Sequence, residues 1–383
     1  MKVLLLLFVS CLFAKAEVEN GTESKYGQST NVNFEDATTE TSSSKIDNVT
    51  STPSDLHPNC TCVPYYRCKD DQEEYEIDIN GGNTCSNYLD RCCKNVDVAT
   101  PKPDKKDVRC GKRNGMNILT QSSDNEAIFG EFPWMVALLQ TVTVQNETSE
   151  MNEINHCGAS LIHPQVVLTA AHCVYNKSES YKIRAGEWDT RTTDELFPHQ
   201  DRKIKDTIVH PKFNSGSLLY DFALLILESP LEITSTVDVV CLPSQNMVSE
   251  NLFCYATGWG REVFSAEVSN TAILKKIGLP IVDRDTCQTQ LRKTRLGPYF
   301  KLHESFICAG GEVGKDTCTG DGGGPLVCPI PGEEDKFYQA GIVAWGINCG
   351  KDFPAAYADV VKVTNWIDEV MVSYKFDTSI YRY

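Results

Sequence analysis

Beyond its first sixteen residues the chain has no apolar run near the roughly 20 residues that a membrane-spanning helix needs. It has no internal period, which argues against solenoids and propellers. HExxH and paired CxxC patterns are missing, so the usual zinc frameworks are not indicated. Positive charge is also scarce: 36 Lys and Arg face 52 Asp and Glu, for a net charge of −16. No basic cluster interleaved with aromatics stands out, which makes nucleic acid and anionic membranes poor partner candidates. Most of the acidic excess reads as solvated surface.

What is present begins with MKVLLLLFVSCLFAKA, a basic Lys2, an apolar core from Val3 to Phe13 and a small-residue ending at Ala14 and Ala16. That pattern reads as a secretory signal over residues 1–16, and the expectation is a soluble, secreted, extracellular protein. Of 17 cysteines, Cys11 falls in this leader and an even sixteen remain, as suits disulfides in an oxidising compartment. Sequons at Asn20, Asn48, Asn59, Asn146 and Asn176 fit surface glycosylation.

Residues 17–59 are rich in Ser, Thr, Asn and acids and poor in large apolar side chains, so they read as disordered. Six cysteines then crowd into residues 60–93, too short a stretch for a hydrophobic core, so three disulfides would have to stabilise it. Spacing alone leaves fifteen pairings open. Residues 94–117 read as a linker, whose VDVATPKPDKKDV offers lysines to a trypsin-like protease. From Gly130 onward short apolar runs alternate with Gly, Pro and Asn turns, which predicts an antiparallel all-β sandwich or barrel. Only VTNWIDEVMVSY, near the C-terminus, carries apolar residues at helical spacing. This body is placed at residues 118–372, with 373–383 as a C-terminal tail.

Nucleophilic acyl transfer needs a hydroxyl, an imidazole to take its proton, a carboxylate to orient the imidazole and N–H groups for the oxyanion. LTAAHCV supplies His172, YDFALLIL supplies Asp221, and GDGGGPLVC and AWGINCG follow in order. Each is weak alone, since a lone histidine is more often structural. Together they resemble the trypsin and chymotrypsin family of serine proteases over roughly residues 118–372. The resemblance implies a double six-stranded antiparallel β-barrel with a C-terminal helix. NCTCVPYYRCKDDQEEYEIDINGGNTCSNYLDRCCKN likewise resembles the arthropod clip domain, at residues 60–93. That likeness implies the pairs Cys60–Cys92, Cys62–Cys85 and Cys68–Cys93. The protease likeness implies Cys110–Cys241, Cys157–Cys173, Cys254–Cys328, Cys287–Cys308 and Cys318–Cys349.

Three departures from the family pattern follow. Gly322 stands where Gly-Asp-Ser-Gly-Gly-Pro has its serine, and glycine has no oxygen to acylate; loss of such a nucleophile costs roughly a millionfold. Thr317 and Thr319 are nearby hydroxyls at the wrong turn positions. The pair His172 and Asp221 is then expected to be buried and kept for packing and hydrogen bonding. The specificity position, six before the nucleophile, is Asp316, which would attract Lys or Arg. Ala344 and Ala355, flanking Gly346, add methyl groups that narrow this pocket. Finally, no Lys or Arg lies between Arg113 and Trp134 and no Ile-Val-Gly-Gly start exists, so a tryptic cut cannot free an ammonium to pair with Asp321. Regulatory cleavage is expected around Lys102 to Arg109 or upstream of residue 60.

Glu187, Asp189, Asp194 and Glu195 in GEWDTRTTDE could supply oxygen ligands to calcium, with a solvated acidic loop as the blander reading. No cofactor is otherwise required. Taken whole, the chain resembles the non-catalytic clip-domain homologues of the phenoloxidase-activating type. That implies a haemolymph cofactor or scaffold for prophenoloxidase and its activating clip-domain protease in melanization, able to oligomerise after cleavage. Two other readings stay open: a venom-type inhibitor or decoy of the same cascade, and a microbial-surface recognition protein.

Overall fold

The computed structural model describes residues 110–114, 125–143, 151–176, 180–192, 197–244, 252–260, 272–314, 316–317, 320–333, 335–347 and 350–383. It also gives the backbone of three short strands: β1 (Leu56–His57), β2 (Cys60–Pro64) and β3 (Asp90–Cys93). These form a sheet in the order β1-β2-β3, in which β2 and β3 run antiparallel with Cys62 opposite Cys92. The leader, residues 17–55, the three clip disulfides, Cys318–Cys349 and the sequons at Asn20, Asn48, Asn59 and Asn146 lie outside the described residues; Asn176 is exposed.

The body is two closed antiparallel barrels. The first joins β4 (Met135–Thr143), β5 (Met151–His163), β6 (Val166–Thr169), β9 (Ala223–Leu227), β8 (Gln200–Val209) and β7 (Tyr181–Ala185), in that order around the barrel. The second joins β10 (Phe253–Gly258), β11 (Lys275–Val282), β12 (Phe306–Gly310), β15 (Pro354–Asp359), β14 (Phe337–Trp345) and β13 (Pro325–Pro329). This settles the choice between sandwich and barrel. Sequence pattern explains the strands: ALLIL in β9 is buried throughout, whereas β8 alternates, with Lys203, Lys205 and Thr207 exposed and Ile204, Asp206 and Ile208 half-buried. Register shifts at Leu138/Leu139, Leu326/Val327 and Val343/Trp345 bend long strands enough to close the walls.

Between the barrels the backbone comes close. A Cβ on Gly158 would lie 2.8 Å from Cα of Gly324, so any side chain there would push β5 off the loop before β13. A buried Ser160 hydroxyl donates to Oε1 of Gln339 at 2.6 Å, tying β5 to β14. Among the described residues four disulfides are present: Cys110–Cys241, Cys157–Cys173, Cys254–Cys328 and Cys287–Cys308.

Helix is more frequent than the apolar spacing predicts. Besides α3 (Thr364–Ser373), there are α1 (Ala171–Val174) and α2 (Arg284–Arg292). The α2 segment has only Cys287 and Leu291 to bury, so its period is faint. Its clearer signal is the N-cap, where the Asp283 side chain accepts from the Thr286 N–H at 2.9 Å. Residues 374–383 pack onto the body: Tyr381 is 1% exposed, its hydroxyl donates to Asp368 and its carbonyl accepts from Leu242 N–H.

Candidate functional site

His172 lies on α1, directly after β6, and Asp221 stands two residues before β9, so the β6–β9 pairing brings them together. Asp221 is fully buried; one carboxylate oxygen accepts from the His172 backbone N–H at 2.8 Å and the other from Nδ1 at 2.6 Å. The pair is not buried as a whole, however. The His172 side chain keeps 29% of its surface exposed, because its Nε2 edge opens toward the loop that carries Gly322.

That loop explains its own glycines one by one. Gly323 has φ +81°, and a Cβ there would fall 2.5 Å from Gly158 O and from Thr169 Oγ1. Gly324 is crowded at 3.0 Å by the carbonyls of Asp321 and Thr257. Gly322 has neither a left-handed φ nor a crowding backbone; the atoms a Cβ would meet are Nε2 of His172 at 3.0 Å and Cε1 at 3.5 Å. The backbone therefore does not demand glycine at the position that faces the imidazole. Around it the loop is pinned: Gly158 N–H donates to Gly322 O at 2.9 Å, and Gly323 N–H to Val343 O at 3.0 Å.

Thr317 is not a spare hydroxyl. It is buried, and its Oγ1 shares a 3.0 Å hydrogen bond with the hydroxyl of Tyr357. Thr319 lies outside the described residues. Asp321 rests in a cradle that the sequence reading passed over: a Cβ on Gly258 or Gly260 would come within 2.2 or 2.4 Å of its carboxylate, and Gly260 N–H donates to it at 2.9 Å. Its signal was the pair of glycines flanking Trp259.

Asp316 is half-buried and accepts from Gly350 N–H at 3.2 Å. Desolvation raises its pKa to about 6, against the lowering effect of the backbone bonds, and the nearby Asp321 charge adds to the rise. Its carboxylate is thus still ionised at neutral pH. Gly346 and Ala355 face each other, since a Cβ on the glycine would sit 3.7 Å from the alanine methyl. Ala355 is buried and Ala344 half-buried beside Trp345, whose ring meets Phe306 and Phe300 edge-on.

The two described acids of the acidic loop are each paired. Glu187 accepts from Arg184 at 3.3 Å and from Trp188 N–H at 3.1 Å; Asp189 takes both Nε and Nη2 of Arg191, at 2.9 and 2.7 Å. Glu187 and Asp189 thus each carry an arginine partner. Asp194 and Glu195 lie outside the described residues. Cys157, His172 and Cys173 cluster within 4.8 Å, but the two sulfurs are joined as a disulfide and offer no thiolates.

Residues 123–367 match the family described as Trypsin. The chain belongs to the trypsin family. It is a clip-domain serine protease homologue, as its relatives show. Phenoloxidase-activating factor 2 of Galleria mellonella is 49% identical over 295 residues, covering 75% of this chain and 97% of that protein. Inactive CLIP domain-containing serine protease A8 of Anopheles gambiae is 36% identical over 330 residues, covering 81% and 88%. Phenoloxidase-activating factor 3 of Holotrichia diomphalia is 32% identical over 356 residues, covering 85% and 96%. These relatives place the homologue among clip-domain, protease-like proteins linked by name to phenoloxidase activation.

Proposed function

We propose that this homologue is a secreted, catalytically inactive cofactor that supports proteolytic activation of prophenoloxidase in melanization. One observation carries the reading: Gly322 faces Nε2 of His172 where an acyl-transfer site needs a hydroxyl, and nothing in the backbone there requires a glycine. An imidazole with no proton to accept cannot generate a nucleophile, and the nearest described alternative, Thr317, is buried against Tyr357. The names of the relatives from Galleria and Anopheles support the two halves of the reading, phenoloxidase activation and inactivity. In this role the body is a scaffold that presents prophenoloxidase or its activating clip-domain protease, after an upstream protease has cut the linker.

The test combines purified chain, nicked by limited proteolysis, with prophenoloxidase and its activating protease. Phenoloxidase activity rises several-fold above protease alone, while Arg and Lys esters are not hydrolysed by the chain itself. Robust ester turnover abolished by His172→Ala refutes inactivity; no gain in phenoloxidase refutes the cofactor role, and a decrease assigns the chain to inhibition.

A further inference from the structure

Against a body that is acidic overall, one described segment has the opposite character. Residues 292–301, RKTRLGPYFK, hold four cations and no acid. They are a basic cluster with aromatics, contrary to the expectation that none occurs. The cluster emerges from the end of α2. Lys293, Arg295 and Lys301 are exposed, and none meets an acidic partner among the described residues. Between them Tyr299 is 93% exposed, more than any other large apolar side chain among the described residues.

This tyrosine is held out by a rigid bend. Arg292 Nε donates to Phe300 O at 2.8 Å, Gly297 N–H to Thr294 O and Phe300 N–H to Gly297 O, each at 3.1 Å. Leu302 N–H donates to Gln288 Oε1 at 3.0 Å, and the Cys287–Cys308 disulfide fixes α2 to β12. Phe300 turns inward against Trp345 while Tyr299 turns out. The bend fixes the backbone that presents Tyr299 among these cations, and Tyr and Arg are enriched among the side chains that dominate interface energies.

The chain carries a segment of matching chemistry. Between Cys68 and Cys85, the stretch Asp70–Asp78 reads DDQEEYEID: six acids in nine residues, no base, and Tyr75 and Ile77 for apolar contact. No other stretch of the sequence is as densely acidic. We propose that the ridge Lys293–Lys301 is the docking surface for the acidic run Asp70–Asp78 of a second copy of this chain. Each copy carries both surfaces, so the contact either closes reciprocally as a two-fold dimer or propagates into rings or open chains. Opposite charges set the register and speed encounter, while Tyr299 supplies buried area. The inference is independent of the reading of Gly322 and His172.

The full secreted chain tests it in three arms. Sedimentation at about 50 mM and about 500 mM salt should show association at the lower value that is lost at the higher one. The triple variant Lys293→Glu, Arg295→Glu, Lys301→Glu changes only exposed side chains; it should be monomeric and keep wild-type thermal stability. Mixing it with a copy carrying Asp70→Lys, Glu73→Lys and Glu74→Lys should restore association. Tyr299→Ala should weaken self-association about tenfold. Zero-length carbodiimide coupling in a mixture of light and isotopically heavy chains should join Lys293 or Lys301 of one label to residues 70–78 of the other. A wild-type chain that stays monomeric at low salt overturns the proposal, as does association unchanged in the triple variant. Coupling confined to one label does so too, since it places the contact within a chain. Retention of the monomeric chain on heparin or anionic vesicles, lost in the triple variant, assigns the ridge to a polyanion instead.

Discussion

Asp221 grips His172 at two points, accepting from its backbone N–H at 2.8 Å and from Nδ1 at 2.6 Å while itself fully buried. Two donors on one buried carboxylate make this pair a structural joint between β6 and β9, whatever else it does. Asp221→Asn turns an NH2 group toward one of the two N–H donors and should lower stability by about 1–3 kcal/mol, read from the urea midpoint. Phenoloxidase stimulation per folded molecule should be unchanged. A fully folded Asp221→Asn protein that has lost stimulation would instead show that the pair works directly.

Gly322→Ser alone should not rebuild an enzyme. A Cβ at this position already sits 3.0 Å from Nε2, so the ring must withdraw to admit a hydroxyl, and Asp221 holds the ring through Nδ1 and its backbone through the N–H. Labelling with a fluorophosphonate and hydrolysis of an arginine ester should stay at trace level. Turnover within about a hundredfold of an active trypsin-family enzyme would contradict this.

The segment 110–114 predicts where trypsin can cut. Gly111 N–H donates to Val239 O and its carbonyl accepts from Phe337 N–H, both at 2.7 Å; φ of +75° and a Cβ position 2.1 Å from Phe337 O require glycine here. Arg113 reaches the buried Glu131 at 2.8 Å and lies over the rings of Phe132, Tyr255 and Phe337, 5.6 to 5.9 Å from their centroids. Limited trypsin should therefore release a body whose N-terminus falls at or before Cys110, with the bonds after Lys112 and Arg113 spared, as N-terminal sequencing will read. Glu131 also holds Lys276 at 2.8 Å, so Glu131→Ala leaves two cations without their buried partner. That variant should lose about 3–5 kcal/mol and open the bond after Arg113 to trypsin.

Acid stability should report His210. It is buried against Tyr220 and Trp366, and desolvation, with the Lys212 charge, pushes its pKa from 6.5 down to about 4. Between these values the unfolded chain takes up a proton that the folded chain refuses, so stability falls as pH drops from 6.5 toward 4. Asp316 and Asp359, both raised to about 6 by burial, act in the opposite sense between about 6 and 3.8, where the folded chain binds the proton first. His210→Gln should flatten the acid limb by on the order of 1–3 kcal/mol relative to wild type, from urea midpoints at pH 7, 5.5 and 4.5. An identical loss in both proteins would remove His210 from the account.

Much of the site was legible because its signals are short and local. LTAAHCV, YDFALLIL and GDGGGP each name a residue whose neighbours fix its backbone. Other features depended on partners far along the chain. The exposed edge of His172 is set by a loop 150 residues later, so the expectation of a buried pair failed. The cradle of Asp321 needs Gly258 and Gly260 from β10 and the turn beyond it. In the acidic loop, residue type suggested cation ligands, yet Arg184 and Arg191 had already taken Glu187 and Asp189.

By itself the sequence determined the family, the order of the chemical groups and the loss of the hydroxyl at residue 322. These depend on residue identity within a few positions. Only the tertiary structure decided that Gly322 is a glycine no backbone constraint requires, and that Tyr299 stands out among cations that meet no acid among the described residues. Both depend on which atoms fold back to fill, or leave open, the space around a side chain, and that space is bounded by residues from distant strands.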